Sequence, residues 1–152
     1  MEVKSPSETI CSCLDSFSEE VSGIMPFILL FLTASIAGVA YLISKFLLEG
    51  VPALNLLGKI VLTIEVLLLL VAAGNAIGSY AQARAIFSKL QDKKRNILLV
   101  SECPEPTMFI AELDKELQPV VARQFSFYQG SYLFLSAAVL LGALAVLVRI
   151  WA

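Results

Sequence analysis

The chain has 152 residues, of which 58% are hydrophobic, and its mean hydropathy is +0.82. Soluble domains contain about 45–50% apolar residues, so this composition indicates a protein that resides in lipid. The formal net charge is −2, and no basic pattern points to a nucleic-acid partner. There is no histidine, which excludes His-ligated haem, His-containing zinc sites and catalysis by Ser-His or Cys-His pairs.

Cysteine usage argues against a disulfide framework or a metal centre. The chain has three cysteines, an odd number, and a metal site built on them would need at least a fourth ligand. No glycine-rich phosphate-binding loop occurs. We therefore expect free thiols in a reducing compartment, no cofactor, no metal and no small-molecule substrate.

Residues 1–23 carry the pattern of a helix start. Ser5 can act as the N-cap, Pro6 can take the first helical position, and Glu8 stands three residues after Ser5, which together form a capping box. Apolar residues then recur at helical spacing up to Gly23, which we expect to end the helix: Ile10, Leu14, Phe17 and Val21. The pattern predicts a short amphipathic interfacial helix with an acidic polar face, packed against protein. A frayed tail is the alternative.

Three apolar runs follow, each near the 20 residues that a helix needs to cross about 30 Å of hydrocarbon. They occupy residues 24–48, 56–80 and 131–151. The runs are too long and unbroken for the strands of a membrane barrel. The residues before the first run are acidic, unlike those of a signal peptide, so we predict a retained span.

Between the second and third runs, residues 81–130 are charged and divide at Pro104 and Pro106. The simplest arrangement continues the second span outward, turns at these prolines and returns into the third span as a hairpin about 30 Å long. Pro119 is expected to bend the returning helix. Two separate helices on the membrane surface are the alternative. The predicted fold class is an all-α integral membrane protein, with residues 24–152 forming a three-span bundle and its cytoplasmic helical hairpin.

The basic residues predict the orientation. Eight lie on the side shared by the N-terminus and residues 81–130, and three lie on the other side. Basic residues near spans tend to stay in the cytoplasm, so we expect the N-terminus and the hairpin inside and the C-terminus outside. A plasma or inner membrane is expected rather than an organellar one.

Small residues four apart occur in each span, and such pairs let helix backbones approach closely in lipid. These predicted helix-packing residues favour a compact or a self-associating bundle. They are Ala34, Gly38, Gly74, Gly78, Ala138 and Gly142.

Glu65 places a carboxylate in the middle of the second apolar run. Counting depth along antiparallel spans puts it level with Tyr41, and Lys45 lies one turn further out. We expect its side chain to face the first span, either as a hydrogen-bonded structural group or as a proton or cation site. The same count places Asn75 opposite Ser136, as an interhelical polar contact.

These features favour a non-enzymatic accessory or scaffold subunit of a membrane complex. Its expected partners are the lipid bilayer and other membrane subunits, or copies of itself. The alternative is a small oligomeric ion or proton channel that uses Glu65. An enzyme is not expected, because catalysis needs a constellation of groups and one carboxylate does not supply it.

The orientation makes a prediction about Cys103, which lies in the predicted cytoplasmic hairpin. A membrane-impermeant thiol reagent should label Cys103 only after the membrane has been permeabilised. Labelling of Cys103 in intact cells would overturn the orientation.

Overall fold

The computed structural model describes residues 5–49, 56–99 and 104–151, and the side chains within 5–44, 56–99 and 104–146. These residues form three α-helices: α1 (Pro6–Glu49), α2 (Leu56–Leu99) and α3 (Pro106–Trp151). All three are long and apolar enough to cross a membrane. The prediction of an all-helical chain with three membrane-length helices is confirmed.

The starts of α1 and α3 are both fixed by a proline in the first helical position. In α1 the predicted capping box forms: the Ser5 backbone N–H donates to Oε2 of Glu8 at 2.9 Å, and the Glu8 N–H donates to Oγ of Ser5 at 3.3 Å. In α3 the hydroxyl of Thr107 donates to Oε1 of Glu105 at 2.9 Å. Local sequence thus sets both helix starts.

The first helix does not end at Gly23. The helix α1 runs through both Gly23 and Pro26 to Glu49, so the amphipathic segment is the first part of a long helix and not a separate interfacial helix. A glycine inside a helix costs only about 1 kcal/mol, which favourable packing on either side can offset. The predicted apolar face is present, since Ile10 and Leu14 are buried.

The second helix is unbroken from Leu56 to Leu99, so the second span continues outward as one helix. The third helix begins at Pro106 and continues through Pro119. The chain between 81 and 130 is therefore helical on both sides of Pro104. Residues 100–103 lie outside the described part of the chain.

The central helix is α2, which packs against both α1 and α3, while α1 and α3 touch each other much less. The buried residues of α2 recur at alternating spacings of three and four, the pattern of a coiled coil. This row, which we call the α2 seam, comprises Leu69, Ala72, Ala76, Ser79, Ala83, Ile86, Leu90 and Ile97. It continues past Tyr80, where the apolar run ends, so one packing pattern serves both halves of the molecule.

Charge divides the bundle lengthwise into two parts. The apolar end comprises 24–44, 56–80 and 131–146, and the charged head comprises 6–22, 81–99 and 106–125. In the apolar end, hydroxyl groups donate to carbonyls one turn earlier in their own helices, including Ser35 to Phe31 at 2.8 Å and Thr63 to Lys59 at 2.8 Å. Such internal bonds satisfy polar groups that lipid could not.

The hydrophobic core extends from the apolar end into the head, where Leu90 of α2 is buried among residues of all three helices. We expect Leu90→Ala to lower the free energy of unfolding by about 2–4 kcal/mol, because it leaves a cavity in that core. Leu98, which is 68% exposed on the same helix, provides the control, and Leu98→Ala should change stability by less than about 0.5 kcal/mol. Thermal unfolding in detergent, followed by circular dichroism, measures both. Equal effects of the two substitutions would contradict the packing.

Candidate functional site

The charged head joins the start of α1 to the hairpin formed by α2 and α3. Three residues of α1 contribute to its core, together with the α2 seam from residue 83 to residue 97 and two residues of α3. The α1 and α3 residues are Ile10, Leu14, Val21, Leu113 and Leu117. Burial of such side chains contributes about 1.5–3 kcal/mol each. The acidic N-terminal segment is therefore held against the hairpin by apolar packing along its length.

An ion pair ties α1 to α2 at the margin of this core. Nζ of Lys94 lies 2.6 Å from Oδ1 of Asp15, and the hydrogen bond to Asp15 raises the pKa of Lys94. Both side chains are partly exposed, so the ion pair contributes little to the free energy of unfolding. Its main effect is to favour one register of α1 against α2.

A second set of ion pairs ties α2 to α3. Glu116 pairs with Lys93 and with Lys89, whose Nζ lies 3.5 Å from the carboxylate. The hydrogen bond from Lys93 is the main cause of a lowered pKa at Glu116. Nζ of Lys93 also lies 5.8 Å from the centre of the Phe109 ring, close enough for a cation–π interaction. The basic residues of α2 are thus largely engaged by the acidic residues of its neighbours.

A shallow apolar groove of about 390 Å³ opens in the head between α1 and α3. Phe17 and Val21 line it on the α1 side, and Val121 and Phe125 line it on the α3 side. Val121 is 45% exposed and Phe125 is 58% exposed. The groove exists because α2 holds α1 and α3 apart along one side of the head.

In the apolar end, Glu65 contacts α3. A Cβ placed on Gly142 would lie 2.7 Å from Oε1 of Glu65, so the carboxylate lies directly over this glycine. The expected pairing with Tyr41 is not observed: no hydrogen bond joins the two among the described side chains, and Tyr41 is 61% exposed. One turn from Glu65, Leu69 of α2 packs against Gly38 of α1. The side chain of Lys45 lies outside the described residues.

Asn75 lies opposite Gly130 and not opposite Ser136. A Cβ on Gly130 would be 2.8 Å from Nδ2 of Asn75, and Ser136 stands six residues further along α3, about 9 Å along the axis. The depth count assumed that the apolar runs end level with each other. Packing sets a different register, in which Gly78 meets the ring of Phe127.

The small residues divide between interfaces and exposed surface. Gly38, Gly78 and Gly142 each face a side chain of a neighbouring helix, and Ala138 is buried. Ala34 is exposed, and a Cβ on Gly74 would meet nothing within 4 Å. On α2 the fully buried small residues include Ala72 and Ala76, which are also four apart, and not the predicted Gly74. The alternating spacing of three and four along the α2 seam was the available signal.

A polar layer marks the join between the apolar end and the head. Ser79 is fully buried and donates to the backbone carbonyl of Gln124 at 3.4 Å. The Gln124 side chain is 4% exposed, and its Nε2 has no hydrogen-bond partner among the described atoms. Sequence reasoning did not identify Gln124, because a glutamine in a charged stretch resembles a surface residue.

The described residues contain no group of three or more His, Cys, Asp or Glu side chains placed to hold a metal ion. Cys11 and Cys13 are free thiols on α1. The described residues offer two features that bear on function. One is the charged head with its apolar groove, which suits recognition of a partner. The other is the carboxylate of Glu65, which lies between two membrane-length helices.

The Glu116 ion pairs predict a dependence of stability on pH. Since folding lowers the pKa of Glu116, its pairs stabilise the fold above the usual value of 4.5 and lose this effect as pH falls through the lowered folded-state pKa. Glu116→Gln should reduce stability near neutral pH by no more than about 1 kcal/mol, and the difference from wild type should vanish in acid.

Glu112→Gln, one turn earlier on the exposed surface of α3, is the matched control and should have no such effect. Melting temperatures of the three proteins across the acid range provide the measurement. A Glu116→Gln deficit that persists at the lowest pH would show that the ion pairs are not its cause.

Comparison with known proteins supplies no relative from which a role could be transferred. No protein family, characterised protein or solved structure matches this chain.

Proposed function

We propose that this protein is a non-enzymatic accessory or scaffold subunit of a membrane complex. The observation that carries the proposal is the charged head, where α1, α2 and α3 all continue beyond their apolar runs and pack as one unit. Continuous helices hold the head at a fixed position relative to the membrane. Such a build suits a protein that presents a surface to a neighbouring subunit.

The orientation belongs to the proposal. Basic residues concentrate in the head, where α2 alone carries five between residues 81 and 99. This bias favours a cytoplasmic head and an outward C-terminus. The proposed partner therefore contacts this protein from the cytoplasm or within the same membrane. The proposed membrane is the plasma membrane or an inner membrane.

Purification in mild detergent with mass analysis of the intact assembly tests the proposal. We expect a stoichiometric association with a different protein, disrupted by substitutions in the head and preserved by substitutions on lipid-facing positions such as Leu140, which is 64% exposed. A preparation that contains only single chains, or only copies of this chain, would overturn the subunit proposal.

A small oligomeric ion or proton channel is the second candidate, and the position of Glu65 favours it. The carboxylate lies over Gly142 between α2 and α3 and forms no hydrogen bond or ion pair with the described side chains. A carboxylate in the hydrocarbon costs at least about 2.5 kcal/mol and often marks an ion pathway. Three spans do not enclose a pathway, so several copies would have to bring Glu65 around an axis.

Reconstituted liposomes distinguish this candidate. A channel should show proton or cation flux that Glu65→Gln abolishes without loss of assembly, because an amide neither exchanges a proton nor carries full charge. Thr63→Val, an exposed change two residues away, should leave flux intact. Flux no greater than that of empty liposomes under every gradient would eliminate the channel.

A further inference from the structure

The charges at the two ends of the apolar stretch of α2 indicate where this helix meets the membrane surfaces. Glu65 is the only charged residue between Lys59 and Arg84. From residue 59 to residue 84 the helix rises about 37 Å. A bilayer has about 30 Å of hydrocarbon and measures about 40–45 Å with its headgroup layers. Lys59 and Arg84 therefore both lie at headgroup depth.

Arg123 of α3 lies on the face of that helix that adjoins α2. Two contacts define this face: Gly130 lies against Asn75, and Glu116 pairs with Lys89. Arg123 is seven residues from Gly130 and seven from Glu116. Since seven residues are close to two helical turns, the three positions share one face of α3. Arg123 therefore stands between two contacts that join α3 to α2.

Gln82 holds the matching position on α2, midway between Asn75 and Lys89. Because α2 and α3 are antiparallel, Gln82 and Arg123 lie at the same level of the hairpin. Gln82 comes two residues before Arg84, or about 3 Å along the axis. Arg123 is thus also at headgroup depth. We call Gln82, Lys89 and Arg123 the basic margin of the hairpin.

Positive charge exceeds negative charge on the basic margin. Arg123 is exposed and forms no ion pair or hydrogen bond with a described side chain. Lys89 is partly exposed and shares the single carboxylate of Glu116 with Lys93. Glu112, one turn before Glu116 on α3, lies further from the membrane. Three cations therefore adjoin one carboxylate near the membrane surface.

Helix direction brings the two cations of the basic margin towards each other. In an α-helix each Cα–Cβ bond tilts towards the N-terminus of its own helix. The helix α2 begins in the apolar end, so this bond tilts towards the membrane at Lys89. The helix α3 begins in the head, so the bond at Arg123 tilts towards the level of Lys89. An arginine fork binds phosphate oxygens in pairs, and a lysine adds a point charge.

We propose that the basic margin binds the phosphate of an anionic phospholipid headgroup. Arg123 and the amide of Gln82 donate to the phosphate oxygens, and Lys89 contributes positive charge. A zwitterionic headgroup carries its own ammonium group, which the cations of the margin repel, so the site selects anionic lipid. The inference uses only the course of the helices through a membrane and does not depend on the proposed subunit or channel function.

Lipid titration of the full chain in a neutral detergent tests the proposal. Phosphatidylglycerol or phosphatidylcholine with the same acyl chains is added, and native mass spectrometry counts the lipids bound. We expect phosphatidylglycerol to bind more tightly. Arg123→Gln should weaken binding of the first phosphatidylglycerol about five-fold, which corresponds to about 1 kcal/mol, and should leave binding of phosphatidylcholine unchanged. Lys89→Gln should weaken it in the same direction.

Two matched controls separate the site from a general attraction to charge. Arg84→Gln removes the same charge at the same depth, but residues two apart on a helix do not share a face, so Arg84 points away from Gln82. Arg95→Gln removes it from an exposed position of α2 further from the membrane. Both variants should bind phosphatidylglycerol as wild type does. Equal melting temperatures establish that all the variants fold.

Three outcomes would overturn the proposal. Equal affinity for the two lipids would show that the margin does not select an anionic headgroup. A loss in Arg84→Gln or Arg95→Gln as large as that in Arg123→Gln would show that only net charge matters. Displacement of phosphatidylglycerol by an equal concentration of inorganic phosphate would show that the margin is a site for free phosphate and not for a lipid.

Discussion

The structure depends on the α2 seam, a row of small and apolar residues on the central helix that packs against both neighbours. Small residues such as Ala72, Ala76 and Ala83 occupy its middle, and larger ones such as Leu90 occupy the head. Because the spacing of three and four residues never changes phase, the same face of α2 points inward in the apolar end and in the head. The helices of the head are thereby direct continuations of those of the apolar end.

This continuity explains why so short a chain can support a charged head. A helical hairpin alone buries little surface, but α1 adds a third helix whose apolar face begins at Ile10. Ion pairs of Lys94 with Asp15 and of Lys93 with Glu116 then fix α1 and α3 on either side of α2. The basic residues of α2 thus pair with acidic residues on both neighbouring helices.

The polar groups of the apolar end show how a bundle accommodates residues that lipid disfavours. Ser35 and Thr63 donate to carbonyls of their own helices, while Asn75 and Glu65 lie over the glycines Gly130 and Gly142. A glycine opposite a polar side chain provides room for it between the helices. The two proposed functions differ in what they ask of Glu65: a subunit only has to accommodate it, whereas a channel has to use it.

Sequence by itself determined the helical class, the three membrane-length helices, the capping box at Ser5 and the unbroken course of α2, because length, hydropathy and local backbone chemistry fix these features. Only the tertiary structure decided which neighbour Glu65 meets, the partner of Asn75, the continuity of α1 through Gly23 and the groove between α1 and α3. These depend on the rotation and register of one helix against another, which are set by the packing of side chains distant in sequence, and the ends of an apolar run do not record them.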